Sequence, residues 1–222
     1  AASQVGLSDA DLDPLERAGL VTITGGALLV RHPLIRSVAY RAATLTQRST
    51  FHAALAAATD DPVRAAWHRS AAAYGADEAI AADLEAVAQS AQRRGANAEA
   101  AAAWRRAAAL SPSTDRRIRR LANAIEPAYQ AGLTVEAIEI LDEAEPLATD
   151  LGVLFDLAFA RFSLAVTTGV TAPPLTDLVR LADRLGAADV PSLATAQIRL
   201  LAAAAAQCRM HGLNDNDRSL VA

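Results

Sequence analysis

The chain has 222 residues, a net charge of -4 and 52% hydrophobic content, enough to bury a substantial core in one or two domains and without a general attraction for nucleic acid or anionic membranes. All 21 basic residues are Arg, which excludes a Walker A lysine, Schiff-base chemistry and a lysine general base from this stretch. Cys208 is the single cysteine, so an internal disulfide framework and a cysteine-based zinc site are excluded as well.

About a quarter of the residues are Ala and only 4% are aromatic. Alanine has the highest helix propensity and lets helices approach closely, so the expectation is a mainly α protein of many short, tightly packed helices. No apolar run is read as reaching the length of a membrane span, and "AASQVGLSDADLD" lacks the basic and apolar regions of a signal peptide. A cytoplasmic location, with no membrane contact, is expected. The chain has no initiator Met, and "NDNDRSLVA" breaks off just after a helix-start signal. Both features lead us to expect a piece of a longer polypeptide.

Taken in order, Ser8 and Asp11 form a capping pair for a short helix over "DADLDPLERAG", closed at Gly19. "LVTIT" and "ALLVR", separated by Gly25-Gly26, predict a β-hairpin. "HPLIRSVAYRAA" predicts a helix with Pro33 in its first position, where the missing N–H would have had no partner. On it Leu34, Val38 and Arg41 share a face, with Ile35 beside them. A further helix over "TQRSTFHAALAAA" starts from Thr44 or Thr46. This order predicts a small winged-helix unit over residues 1–58. A DNA-reading helix should offer Arg, Lys, Asn or Gln to base edges. The candidates Arg36, Arg41, Gln47 and Arg48 are diluted by Ala and Ser, so no direct nucleic-acid contact is expected. Residues 59–76 predict a connecting helix capped by Asp61, with Pro62 in its first turn.

From residue 77 to 222 the signals are helices and turns. Gly95, Gly132 and Gly169 recur at 37-residue spacing, each after a helix-like segment. Regular punctuation at this interval predicts a tetratricopeptide-like α-solenoid of helix hairpins, incomplete at its C-terminus. Leu84, Val87, Ala88 and Ala91 fill the first-helix positions of the first unit, and Ala100, Trp104, Ala107 and Pro112 those of the second helix. The same register gives Leu121, Ala124, Ile125 and Ala128, then Ala137, Leu141 and Ala144. In the third unit Ala158, Phe162 and Ala165 fit, but Pro174 replaces the expected small residue. A last helix runs from about Pro191 to Gly212. Burial of Trp104, Leu141 and Phe162 should contribute ~1.5–3 kcal/mol each. Such an arm would offer a concave surface to a small-molecule or protein effector.

Chemistry-bearing residues are sparse. His32, His52, His68 and His211 form no HxxxH or HExxH pair, so no metal site is expected. His52 and His68 read as half-buried packing residues. No GxSxG or Cys–His arrangement occurs, and Asp142 and Glu145 read as ordinary solvated charges, so catalysis is not expected. The paired arginines Arg93-Arg94, Arg105-Arg106, Arg116-Arg117 and Arg119-Arg120 are read as solvated or ion-paired. The alternative is contact with an anionic partner, for which Arg93, Arg94, Arg105, Arg106, Arg116 and Arg120 are candidates. His32 stands at an electropositive helix start, where it would contact an anion or simply cap the helix.

The stretch from Leu15 to Pro112, above all "RHPLIRSVAY" and "AWHRSAAA", resembles the central region of the large ATP-binding LuxR-type transcription regulators related to the maltose regulator. Beyond Pro112 only the helical-repeat character carries over. The resemblance implies an upstream signal-transducing P-loop ATPase ending in the winged helix, a tetratricopeptide-like sensor arm and a downstream LuxR-type helix-turn-helix. ATP or ADP would then belong to the full-length protein and to no cofactor site of this fragment. It further implies that His32, in Arg31-His32-Pro33, senses a nucleotide phosphate; the motif here is HP where some relatives have HD. The fragment would relay effector binding on the arm to the ATPase without catalysis of its own. The competing expectations are a tetratricopeptide scaffold for a protein partner, or the regulatory arm of a signalling cyclase.

Overall fold

The computed structural model describes residues 8–25, 27–188 and 190–211. Among these are eleven α-helices and one two-stranded antiparallel sheet, which makes the chain mainly helical. They divide into two compact units, Ala1–Asp83 and Leu84–Ala222.

In the first unit, local capping chemistry sets each helix start. α1 (Asp9–Arg17) begins with Ser8, whose backbone N–H and hydroxyl both donate to Asp11 Oδ2, at 2.8 and 2.7 Å. These bonds, the backbone one foremost, hold the Asp11 carboxyl below its ordinary value. Strands β1 (Val21–Thr24) and β2 (Ala27–Val30) pair with Val21 opposite Val30 and Thr24 opposite Ala27. The turn between them uses Gly25 at φ +58°; Gly26 lies outside the described residues. α2 (Pro33–Ala42) starts at the expected proline. α3 (Leu45–Ala58) carries a reciprocal box between Thr44 and Gln47. α4 (Pro62–Ala72) is capped by Asp61, which accepts from the N–H groups of Val63 and Arg64. The division between the units falls inside α5 (Glu78–Arg93). Arg69 on α4 grips Asp83 on α5 through Nε and Nη2, at 3.1 and 2.8 Å.

The second unit holds most of the core. α6 (Asn97–Ala109), α7 (Thr114–Gln130), α8 (Thr134–Ala144), α9 (Leu151–Thr168), α10 (Leu175–Ala187) and α11 (Pro191–His211) each pack on the next, and α9 also touches α7 and α11. Gly95, Gly132 and Gly169 all adopt left-handed φ angles, 72°, 77° and 76°. An L side chain there would strain the backbone, so these positions end a helix and let the chain reverse. Of the residues assigned to the first two helix pairs, Leu84, Val87, Ala88, Ala91, Ala100, Trp104 and Ala107, then Leu121, Ala124, Ile125, Ala128, Ala137, Leu141 and Ala144, are buried, whereas Pro112 is exposed beyond the end of α6. Alanines at the crossings allow close approach, and the larger Trp104 and Leu141 fill the space beside them.

The third pair slips, as Pro174 foretells. The next helix begins two residues after Gly95 and Gly132 but six after Gly169, because Pro173 and Pro174 cannot enter the helix interior. Ala158 and Phe162 are accordingly only half-buried. The core here is rebuilt from Leu178, Leu181, Leu185, Leu200 and Phe155.

α9 is the one described helix long and apolar enough to cross a membrane, with a mean hydropathy of 1.5 over Leu151–Thr168. As an uninterrupted run it is broken by Asp156 and Arg161. The helix packs against α7, α8, α10 and α11.

Candidate ligand-binding groove

A cavity of about 560 Å³ in the second unit is lined from α5, α7, α9 and α11, every second helix. Its apolar wall is Phe155 and Phe159, four residues apart on α9 and therefore on one face. Their rings stack with centroids 5.7 Å apart and planes 27° from parallel. The Arg199 guanidinium from α11 lies 4.1 Å from the Phe159 centroid and 5.4 Å from that of Phe155. This is cation–π distance and fixes the long side chain over the wall.

The polar lining comes from Gln92, Asn123, Glu126, Tyr129, Gln130 and Asp156. Gln92 Oε1 accepts the Trp104 indole N–H at 3.0 Å, which leaves the Gln92 amide nitrogen as a donor. Gln130 donates to Glu126 at 2.9 Å. Pro127, buried inside α7, lacks the N–H that would have bonded the Asn123 carbonyl. Asp156 is pushed above its ordinary value because neighbouring protein removes water from it. Arg199 pulls it back in part, and Asp150 pushes the same way as burial. Donors, acceptors and a flat aromatic wall together suit a ligand with an apolar body and a polar edge. The lining contains no histidine or cysteine, and the Ser163 hydroxyl donates to the Phe159 carbonyl at 2.8 Å.

The arginines expected to face a partner are placed differently from one another. Arg93 is exposed and makes no ion pair among the described residues. Arg94 bonds Ser90 and Glu99, and Arg105 on α6 reaches Glu136 and Glu139 on α8. Arg106 and Arg116 also have partners. Arg120 is only 4% exposed: its Nε and Nη2 meet Glu85 Oε2 at 3.0 Å, and Nη1 meets the Ser111 hydroxyl at 2.6 Å. Arg120 thus points inward and ties α7 to α5, which takes it off any outward surface. Asp142 and Glu145, read as ordinary solvated charges, are partly exposed and hold Arg161 of α9. Burial works against that guanidinium's charge, but the two carboxylates outweigh it and lift its pKa above the ordinary value.

His32 is the N-cap of α2, and its Nδ1 accepts the Leu34 N–H at 3.2 Å. An accepting Nδ1 is unprotonated, so the ring's other nitrogen carries the hydrogen and faces its surroundings as a donor. The side chain is exposed. His52 and His68, read separately from the sequence as packing residues, are half-buried and meet with Nδ1 atoms 3.0 Å apart. Tyr40 Oη is 3.0 Å from His52 Nε2, so one hydrogen-bonded chain links α2, α3 and α4. His52 is held below its ordinary pKa, first by loss of water and then by His68. Among the described residues no group of three His, Cys, Asp or Glu is placed to hold a metal ion.

No family model, curated protein or solved structure matches the chain.

Proposed function

We propose that this chain is a non-catalytic sensing and relay fragment of an ATP-dependent LuxR-type transcription regulator. In this reading the second unit is a tetratricopeptide-like arm that binds an effector. The first unit is a winged helix that couples the arm to an upstream ATPase. The observation that carries the reading is the groove formed by alternate helices α5, α7, α9 and α11, the face that stacked helix hairpins present as their concave side. The left-handed glycines at 37-residue intervals support stacked hairpins, as do the ion pairs joining helices one pair apart. His32 supports nucleotide sensing because, with Nδ1 used in the cap, the opposite ring N–H is left to meet a phosphate oxygen.

Screening small molecules and peptides by thermal shift tests the arm, since a ligand of the folded state raises the melting temperature. A binder whose shift disappears in Arg199→Ala supports the groove; binders insensitive to Arg199→Ala and Phe159→Ala refute it. In the intact regulator, His32→Ala should release ADP faster and change basal transcription. Unchanged ADP retention and unchanged basal activity eliminate the sensor role.

A further inference from the structure

The strongest unexplained feature lies on the first unit. α2 is ten residues long and buries no side chain. A helix this short is marginal in water unless an apolar face is packed against something. Leu34 and Val38 are each 65% exposed; with Arg41 they sit at i, i+4 and i+7, one stripe along the helix. Tyr40 lies on another side, where it meets His52 of α3, so the stripe faces away from the neighbouring helix.

The charge around this stripe has one sign. From Ala18 to Thr59 the chain contains no Asp or Glu, but it does contain Arg31, Arg36, Arg41 and Arg48. None of the four forms an ion pair among the described residues, and Arg31, Arg36 and Arg41 are exposed. Arg48 stacks over Tyr40 at 5.4 Å, and its Nε is buried without a hydrogen-bond partner. The acids that flank this stretch in sequence are Glu16 on α1 and Asp60 and Asp61 before α4, of which Asp61 is taken up in capping α4.

We propose that the Leu34–Val38–Arg41 face of α2 is a docking surface for an acidic, apolar-faced protein segment. Aliphatic side chains need an aliphatic counterpart, and unpaired guanidinium groups need carboxylates. A nucleic acid supplies the negative charge but leaves Leu34 and Val38 against phosphate and water. This inference stands apart from the effector and ATPase readings, because it rests on the first unit alone and on no ligand of the arm.

The test uses the whole chain, ¹⁵N-labelled, titrated with three synthetic amphipathic helical peptides. One carries Glu on its polar face and Leu on its apolar face, the second has Lys for Glu, and the third has Ser for Leu. The Glu/Leu peptide should bind at least tenfold more tightly than the other two, more weakly as salt rises, with amide shifts centred on residues 34–41. Arg41→Glu should abolish the preference for Glu over Lys, and Val38→Ser should weaken the Glu/Leu peptide at unchanged α2 helicity. Equal or absent binding of the three peptides overturns the proposal, and so do shifts centred elsewhere. Displacement from the same residues by a duplex DNA that binds more tightly would make this a nucleic-acid surface. Concentration-dependent dimerisation blocked by Val38→Ser would make it a contact between copies, and either result overturns the proposal.

Discussion

Gly132 and Gly75 allow a clean test of what the glycine turns do. A Cβ added at either position meets no heavy atom within 4 Å, so crowding plays no part in either substitution. They differ in backbone: Gly132 sits at φ +77°, whereas Gly75 is outside the left-handed range. An L residue in the left-handed region costs about 1–2 kcal/mol. Replacing glycine by alanine also narrows the unfolded ensemble, which stabilises by about 0.4–1 kcal/mol where the native backbone suits alanine. Gly132→Ala should therefore destabilise the second unit by about 1 kcal/mol, and Gly75→Ala should stabilise the first by about 0.5 kcal/mol. Gly95 is as open as Gly132, at φ +72°, and is distant enough for the two penalties to add. Urea unfolding followed by Trp104 fluorescence in a Trp67→Phe background reports the second unit, and Trp67 in a Trp104→Phe background the first. Effects of the same sign at Gly132 and Gly75 would refute the backbone argument. A loss above about 3 kcal/mol at Gly132 would show that crowding operates there after all.

Three other substitutions test the charges. Arg120→Ala should cost about 2–4 kcal/mol in urea unfolding, because it strips a buried guanidinium from Glu85. Arg105→Ala should cost less than about 1 kcal/mol, because that side chain is 38% exposed; equal losses would contradict the distinction. His52 is held below its ordinary 6.5, so as pH falls the unfolded chain takes up the proton first. The stabilising contribution is whole above about pH 6.5 and drains away below it towards the lower folded value. The groups that face His52 are Tyr40 from α2, Arg48 by way of that ring, and His68 from α4. Melting of the first unit should accordingly fall more steeply between pH 7 and pH 5 in the wild type than in His52→Gln, and parallel curves would refute this. Asp156 is shifted the other way, upward from 3.8. Its contribution to stability is present in acid and lost as pH rises through the folded value, so Asp156→Asn should raise the melting temperature at pH 7 and lose that advantage near pH 3.

The parts of the fold legible in the sequence are those where one residue type answers a steric demand. Only glycine enters the left-handed region without strain, so Gly95, Gly132 and Gly169 mark helix ends wherever they fall. Small residues suit close helix contacts, so Ala91 and Ala100 in one pair, with Ala128 and Ala137 in the next, reveal the register. Caps are equally local, as Ser8, Thr44 and Asp61 illustrate. Side-chain pairing was less legible, because partners lie far apart in the chain. The sequence draws attention to adjacent arginines, yet Arg120 pairs 35 residues back with Glu85, and Arg105 pairs 34 residues on with Glu139. Those separations fall short of the 37-residue interval, and a strict step of one interval lands instead on Asp83 and Asp142, which hold Arg69 and Arg161. His52 and His68 carry no signal either. They meet only because α3 packs on α4, and sixteen residues of separation disclose nothing about it.

The placement of the groove constrains how the proposed relay would operate. Gln92, Tyr129, Phe155 and Arg199 come from four helices that are never consecutive in the chain. A ligand that touches all of them is sensitive to the spacing between successive helix pairs rather than to the conformation within any one pair. Binding energy therefore favours one spacing over another, and by linkage any event that fixes the spacing elsewhere changes ligand affinity by the same factor. The cross-pair salt bridges set how stiff that spacing is. Arg120 is buried where it holds half-buried Glu85 and ties α5 to α7, whereas Arg105 holds Glu136 and Glu139 nearer water. Salt should loosen the second contact more than the first, so an effector that closes the groove should bind with an ionic-strength dependence that Arg105→Ala diminishes and Arg93→Ala leaves intact.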